Sequence, residues 1–123
     1  MVRQNTYHPT LNLLTAIGYR KGANGELAAG HEYGYDALMR PVQRRDSWDV
    51  ATPATLRDFT YNGRSELVED RLSRGGSFIY SYDNIGNRKT ARELEEAFSY
   101  ESNQLNQYAE IAGGGGDFTP VYD

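Results

Sequence analysis

The stretch "SFIYSYDNIGNRKTA", Ser77–Ala91, sets aromatic residues at alternate positions just ahead of a short polar segment. Period two places Tyr80 and Tyr82 on one face of a strand, and tyrosine favours strands. Asp83 can fold its side chain onto the following backbone, and Gly86 can adopt positive φ, so the segment reads as a turn. Basic and polar residues then resume at Arg88. The stretch predicts a β-hairpin.

The pattern recurs at "EYGYDALMRPV" from Glu32, "DFTYNGRSELV" from Asp58 and "AFSYESNQLNQY" from Ala97. The aromatic pairs are Tyr33/Tyr35, Phe59/Tyr61, Tyr80/Tyr82 and Phe98/Tyr100. The polar followers are Asp36, Asn62, Asp83 and Glu101. The second aromatics are 26, 21 and 18 residues apart. Four units in register point to a repeat protein. Tyr122–Asp123, 22 residues beyond Tyr100, is expected to start a further, truncated repeat, with Pro120 where an aromatic would stand.

The segment that matches best, "YDNIGNR" (Tyr82–Arg88), resembles the repeat of the Rhs, or tyrosine-aspartate (YD), family. "YDALMR" from Tyr35 matches with Met39 in place of glycine. "YNGRSEL" from Tyr61 carries Asn62 and Ser65 where the family has aspartate and glycine. "YESNQLNQY" from Tyr100 is the most divergent. The resemblance covers about residues 31–123. It implies an all-β chain of successive antiparallel hairpins, wound as a spiral or open shell, that can enclose a carboxy-terminal toxin or stand at a cell surface. Neighbouring repeats of a longer parent chain are the implied partners, and a secreted or cell-surface location is the implied setting. The family's self-cleavage at an Asp-Pro motif does not carry over, because the four prolines follow His8, Arg40, Thr52 and Thr119.

On this reading residues 1–30 form an irregular or divergent segment, with Tyr7 and Tyr19 as remnants and "LNLLTAIGYR" (Leu11–Arg20) open to either a strand or a short helical turn. Residues 31–112 hold four hairpins. Residues 113–123 are a glycine linker and the start of the next unit. Asn24-Gly25 is a turn signal. Pro53 argues against a central strand in the connector "DSWDVATPAT", where Trp48 is expected to pack on the sheet. "TARELEEAF", Thr90–Phe98, has helix-forming composition. The alternation at Phe98/Tyr100 nevertheless favours strand and loop.

Composition limits function. The formal charge of −4 gives no general attraction for nucleic acid or an anionic membrane. Cysteine is absent, so disulfides and thiolate metal sites are excluded. No long apolar run suggests a membrane span or a signal peptide in this chain. Only 38% of residues are hydrophobic, but ten tyrosines and four phenylalanines carry large area per residue. Sheet edges with aromatics nearby are expected to favour self-association.

Chemistry-bearing patterns are thin. His8 and His31 lack the spacing of common zinc sites. His31 is expected at a strand start. Glu93, Glu95 and Glu96 read as solvated charge, and "DNIGN" lacks the ligand pattern of a helix-loop-helix calcium site. There is no Gly-x-Ser-x-Gly and no phosphate loop. The residues singled out are therefore structural: Tyr33, Tyr35, Asp36, Phe59, Tyr61, Asn62, Tyr80, Tyr82, Asp83, Gly86, Phe98 and Tyr100. No catalytic residue, metal or cofactor is expected. The carboxylates of Asp36 and Asp83 are the expected partners of tyrosine hydroxyls. The competing reading is a module that binds carbohydrate or protein through exposed tyrosines. An enzyme would need a pocket joining a histidine to a carboxylate and a nucleophile.

Overall fold

The computed structural model describes residues 1–49 and 51–122. These residues form eleven strands and no helix. They are β1 (Val2–Tyr7), β2 (Leu14–Arg20), β3 (Leu27–Tyr35), β4 (Pro41–Ser47), β5 (Thr55–Tyr61), β6 (Leu67–Leu72), β7 (Ser77–Tyr82), β8 (Arg88–Glu93), β9 (Glu96–Ser102), β10 (Tyr108–Gly113) and β11 (Gly116–Phe118). Each strand pairs antiparallel with its neighbour in the chain wherever the register is defined. The protein is all-β, built of successive antiparallel hairpins.

Two compact units are present, Met1–Phe59 with Leu72–Arg74, and Thr60–Arg71 with the chain from Gly75. In the first, residues 1–30 are not irregular. They hold β1, β2 and the start of β3, with Val2↔Arg20 and Gly18↔Gly30 among the paired residues. The helix-forming composition of Thr90–Phe98 loses to pairing: β8 and β9 meet through a tight turn at Leu94–Glu95, with Ala91↔Phe98 and Glu93↔Glu96. Local propensity is worth a few tenths of a kcal/mol per residue, and sheet pairing with aromatic packing outweighs it. Pro53 lies outside the strands, and Pro41 takes the first position of β4, where a missing N–H is tolerated. Tyr122 is exposed and outside any strand. Its expected partner Asp123 lies outside the described residues.

The register sorts side chains onto faces. In the first unit His31, Tyr33 and Tyr35 share a face with Arg44, Asp46, Thr55 and Arg57. In the second, Asp70, Phe78, Tyr80, Ala91, Phe98, Tyr100 and Ile111 share one. Burial is shallow throughout. Among the described residues only Gly30, Asp46, Asp70 and Ala91 are buried. All eight paired aromatics are half-buried. Aromatic rings laid along one face therefore supply what core there is, in keeping with the low aliphatic content. Ala91 is the tightest point, 2% exposed, opposite Tyr80 on one side and Phe98 on the other. A small residue there lets both rings close over it.

Candidate functional site

The recurring feature is a five-residue turn. At Asp83 the backbone N–H donates to Asn87 O, and Gly86 N–H donates to Asp83 O. Asp83 Oδ1 accepts from Ile85 N (3.0 Å) and Asn87 N (2.9 Å), and Oδ2 accepts from Asn87 Nδ2. Asp36 repeats this with Leu38 N, Arg40 N and the Arg40 guanidinium. Asn62 repeats it with Arg64 N, Glu66 N and the Glu66 carboxylate. The fourth copy sits at Asn103, with Leu105 N, Gln107 N and the Gln107 amide. One side-chain oxygen thus satisfies two backbone donors that a three-residue hairpin loop leaves open.

The fourth turn corrects the sequence frame. Glu101 is inside β9, and the turn begins two residues later. Ser102 therefore stands where Tyr35, Tyr61 and Tyr82 stand, and Tyr100 aligns with Tyr33, Phe59 and Tyr80. The repeating tyrosine hid this, because Tyr100 mimics the position it precedes. A turn residue flanked by "NQ" at 103–104 and again at 106–107 gave the other signal. His8 heads a related, longer loop between β1 and β2. Its N–H donates to Leu13 O, and its ring Nδ1 lies 3.3 Å from Thr10 N and 3.2 Å from Leu11 N.

The position three residues after each cap requires positive φ. Gly86 supplies it at 93°, but Met39 (61°), Ser65 (62°) and Asn106 (58°) adopt it with a side chain. A left-handed residue costs roughly 1–2 kcal/mol unless it is glycine or, in part, asparagine. The cap bonds hold those residues there.

Beside four of these loops the second strand carries a bulge. Tyr7 pairs with Leu14 while Thr6 pairs with Ala16. The same skip occurs at Gly34/Tyr35, Ser81/Tyr82 and Tyr108/Glu110. A bulge twists the strand and re-aims the neighbouring side chain. Across from two of these bulges, at Tyr35 and Tyr82, a tyrosine hydroxyl reaches back to the preceding hairpin. Tyr35 donates to Leu14 O at 2.6 Å, and Tyr82 donates to Leu67 O at 2.7 Å. Leu14 and Leu67 each open the second strand of the hairpin before. The expected carboxylate partners are not used, because Asp36 and Asp83 are consumed by their own turns.

The last hairpin solves the same joint differently. Tyr108, on β10, accepts from Arg88 N at 3.1 Å. Its ring lies 5.3 Å from Tyr100. The Arg88 guanidinium sits 4.4 Å over the Tyr80 ring and 5.9 Å from that of Tyr100. Cation–π contacts of this kind are worth about 0.5–1 kcal/mol at partly exposed sites. Burial and the Glu93 charge push the Tyr80 hydroxyl up, so it remains neutral. Arg88 and Tyr108 carry more of this joint than the sequence pattern assigned to them.

His31 lies within β3, not at its start. Its Nδ1 is 2.6 Å from Asp46 Oδ1, and Arg44 Nη2 donates to Oδ2 at 2.9 Å. Arg44 Nε is also 2.9 Å from Oδ1, but off the hydrogen-bonding line, so that contact is electrostatic only. Burial pushes Asp46 up, and Arg44 and His31 more than reverse it, so the carboxyl titrates below its ordinary value. Trp48 meets the His31 ring edge-on at 6.2 Å and is otherwise exposed. This cluster ties β3 to β4. No hydroxyl bonds the His31 ring among the described residues. A shallow hollow of about 190 Å³ touches His31, but Thr6, Ala16, Gly18, Gly30, Glu32, Arg45 and Ser47 line it from the opposite face. No group of metal-ligating side chains occurs among the described residues.

No family model matches the chain. Over 67 residues it is 34% identical to peptide chain release factor 3 of Macrococcus caseolyticus. The match spans 54% of this chain and 13% of that protein.

Proposed function

We propose that this chain is a run of YD-type hairpins with a structural, non-enzymatic role. It would form part of an Rhs-type scaffold that encloses a toxin or stands at a cell surface. The observation that carries the reading is the joint between hairpins. In the Asp36 and Asp83 hairpins the tyrosine is spent on the backbone of the hairpin before it, and the aspartate beside it is spent on closing its own turn. Residues committed in this way transmit stability along an array, since each unit completes its neighbour. Further repeats of a longer parent chain would be the partners of the outer strands, and self-association through those strands is the expected behaviour of the chain alone. The spiral or shell arrangement, the enclosed toxin and the export all rest on the resemblance of Tyr82–Arg88 and its sister segments.

Native-state hydrogen exchange on Tyr82→Phe tests the reading. Removing the hydroxyl should speed exchange in β6 and the Asn62 turn as well as in β7. Loss of protection confined to β7 would remove the array argument. Saturable binding of a soluble glycan or a peptide, abolished by Tyr80→Ala or Tyr82→Ala without loss of fold, would replace it with a binding module.

A further inference from the structure

The chain contains two Asn-Gly dipeptides, and the structure treats them oppositely. Asn62-Gly63 lies in a capped turn. Asn62 Oδ1 accepts from Arg64 N at 2.9 Å and Glu66 N at 3.1 Å, while Nδ2 donates to Glu66 Oε2 at 3.0 Å. Asn24-Gly25 lies in the β2–β3 connection. Asn24 is exposed, and its side chain makes no hydrogen bond to any described residue. The Gly25 N–H is held only by a long contact to Gly22 O, 3.3 Å. Glycine is required at 25, because a Cβ there would lie 1.8 Å from Lys21 O. The absent side chain leaves the Gly25 nitrogen sterically open.

We infer that Asn24 is a site of spontaneous deamidation, while Asn62 is held inert by its turn. The Gly25 amide nitrogen, having lost its proton to solvent, attacks Asn24 Cγ. A new N–Cγ bond closes a five-membered succinimide, and the Cγ–Nδ2 bond breaks with release of ammonia. Water then adds to either ring carbonyl and opens the ring to aspartate or isoaspartate. No electron is transferred, and water is the only co-reactant. The change adds one negative charge. The isoaspartate product also inserts a methylene into the main chain, inside the loop that the Lys21 N–H···O=C Glu26 bond closes and the Arg20 Nη1 contact to Gly25 O braces. The β2–β3 turn therefore ages faster than the repeat turn at Asn62.

At Asn62 the three side-chain bonds must open before Cγ is free to react. Together they slow the reaction about tenfold or more relative to an unrestrained asparagine. The folded full chain, incubated in mildly alkaline buffer and read by peptide mapping that separates aspartate from isoaspartate, should convert at Asn24 about tenfold faster than at Asn62. In denaturant the two rates should converge. Asn24→Gln should remove the fast product and leave the rate at Asn62 unchanged, and Glu66→Ala should raise the rate at Asn62. Equal rates in the folded chain, or a faster rate at Asn62, overturn the inference. So does an Asn24 rate no greater than that of exposed Asn84 in the same digest.

Discussion

The third and fourth hairpins belong to one unit and share one turn, yet they are joined to their predecessors by different means. At Asp83 the strand ends in a tyrosine whose hydroxyl reaches back to Leu67 O, and the left-handed position is a glycine. At Asn103 the strand ends in Ser102, the left-handed position is Asn106, and the contact with the hairpin before is made from the other strand by Tyr108. The turn hydrogen bonds are the same four in both. The turn is therefore the invariant element, fixed by a side-chain oxygen and six backbone groups. The joint is a looser requirement that an aromatic hydroxyl can meet from either strand.

The largest separation between the two should come from the tyrosine itself. Tyr82→Ala removes a half-buried ring and a backbone hydrogen bond, and should destabilise by about 2–3 kcal/mol. Ser102→Ala should change stability by less than about 0.5 kcal/mol. Both are read by urea unfolding, and comparable losses would dissolve the distinction. Gly86→Ala comes next. It forces a Cβ into φ 93° and should cost about 1–2 kcal/mol. Asn106→Gly should instead stabilise, by about 0.5 kcal/mol, because asparagine already bears part of that strain. Tyr82→Phe and Tyr108→Phe should each cost about 1 kcal/mol if both hydroxyls join hairpins. A silent Tyr108→Phe would leave the fourth joint to Arg88 and the rings alone.

The smallest effect distinguishes the caps by pH. Burial pushes Asp83 up, but the hydrogen bonds from Asn87 and Ile85 win, and its carboxyl titrates below the ordinary aspartate value. A depressed folded value means the contribution is complete above the unfolded carboxylate range. It is lost as pH falls through the lowered one. Acid titration followed by amide NMR should therefore shift Ile85 and Asn87 while leaving Leu105 and Gln107 in place, since Asn103 does not ionise. Asp83→Asn should make the third turn as silent as the fourth.

Much of this was legible in the residues. The strands around Tyr33/Tyr35, Phe59/Tyr61 and Tyr80/Tyr82 follow from period-two aromatics and an Asx residue, because both signals are local and act within a few residues. The fourth frame was misread at Glu101, since a tyrosine two residues early satisfies the same alternation. β1 was not anticipated, and β2 stayed open between a strand and a short helical turn, because Leu13–Arg20 alternates poorly and the His8 loop is longer. His31–Asp46 was not legible as a pair. Its residues are 15 positions apart, and only counting register outward from the Asp36 turn brings them opposite.

The sequence by itself determined the all-β class, the hairpin turns and the aromatic face, since each depends on the order of neighbours along one strand. Only the tertiary structure decided where the tyrosine hydroxyls go, which strand of the last hairpin carries the joint, and which carboxylates are buried. Those outcomes depend on which groups separate strands and hairpins bring within reach of one another, and periodicity along a single strand does not encode that.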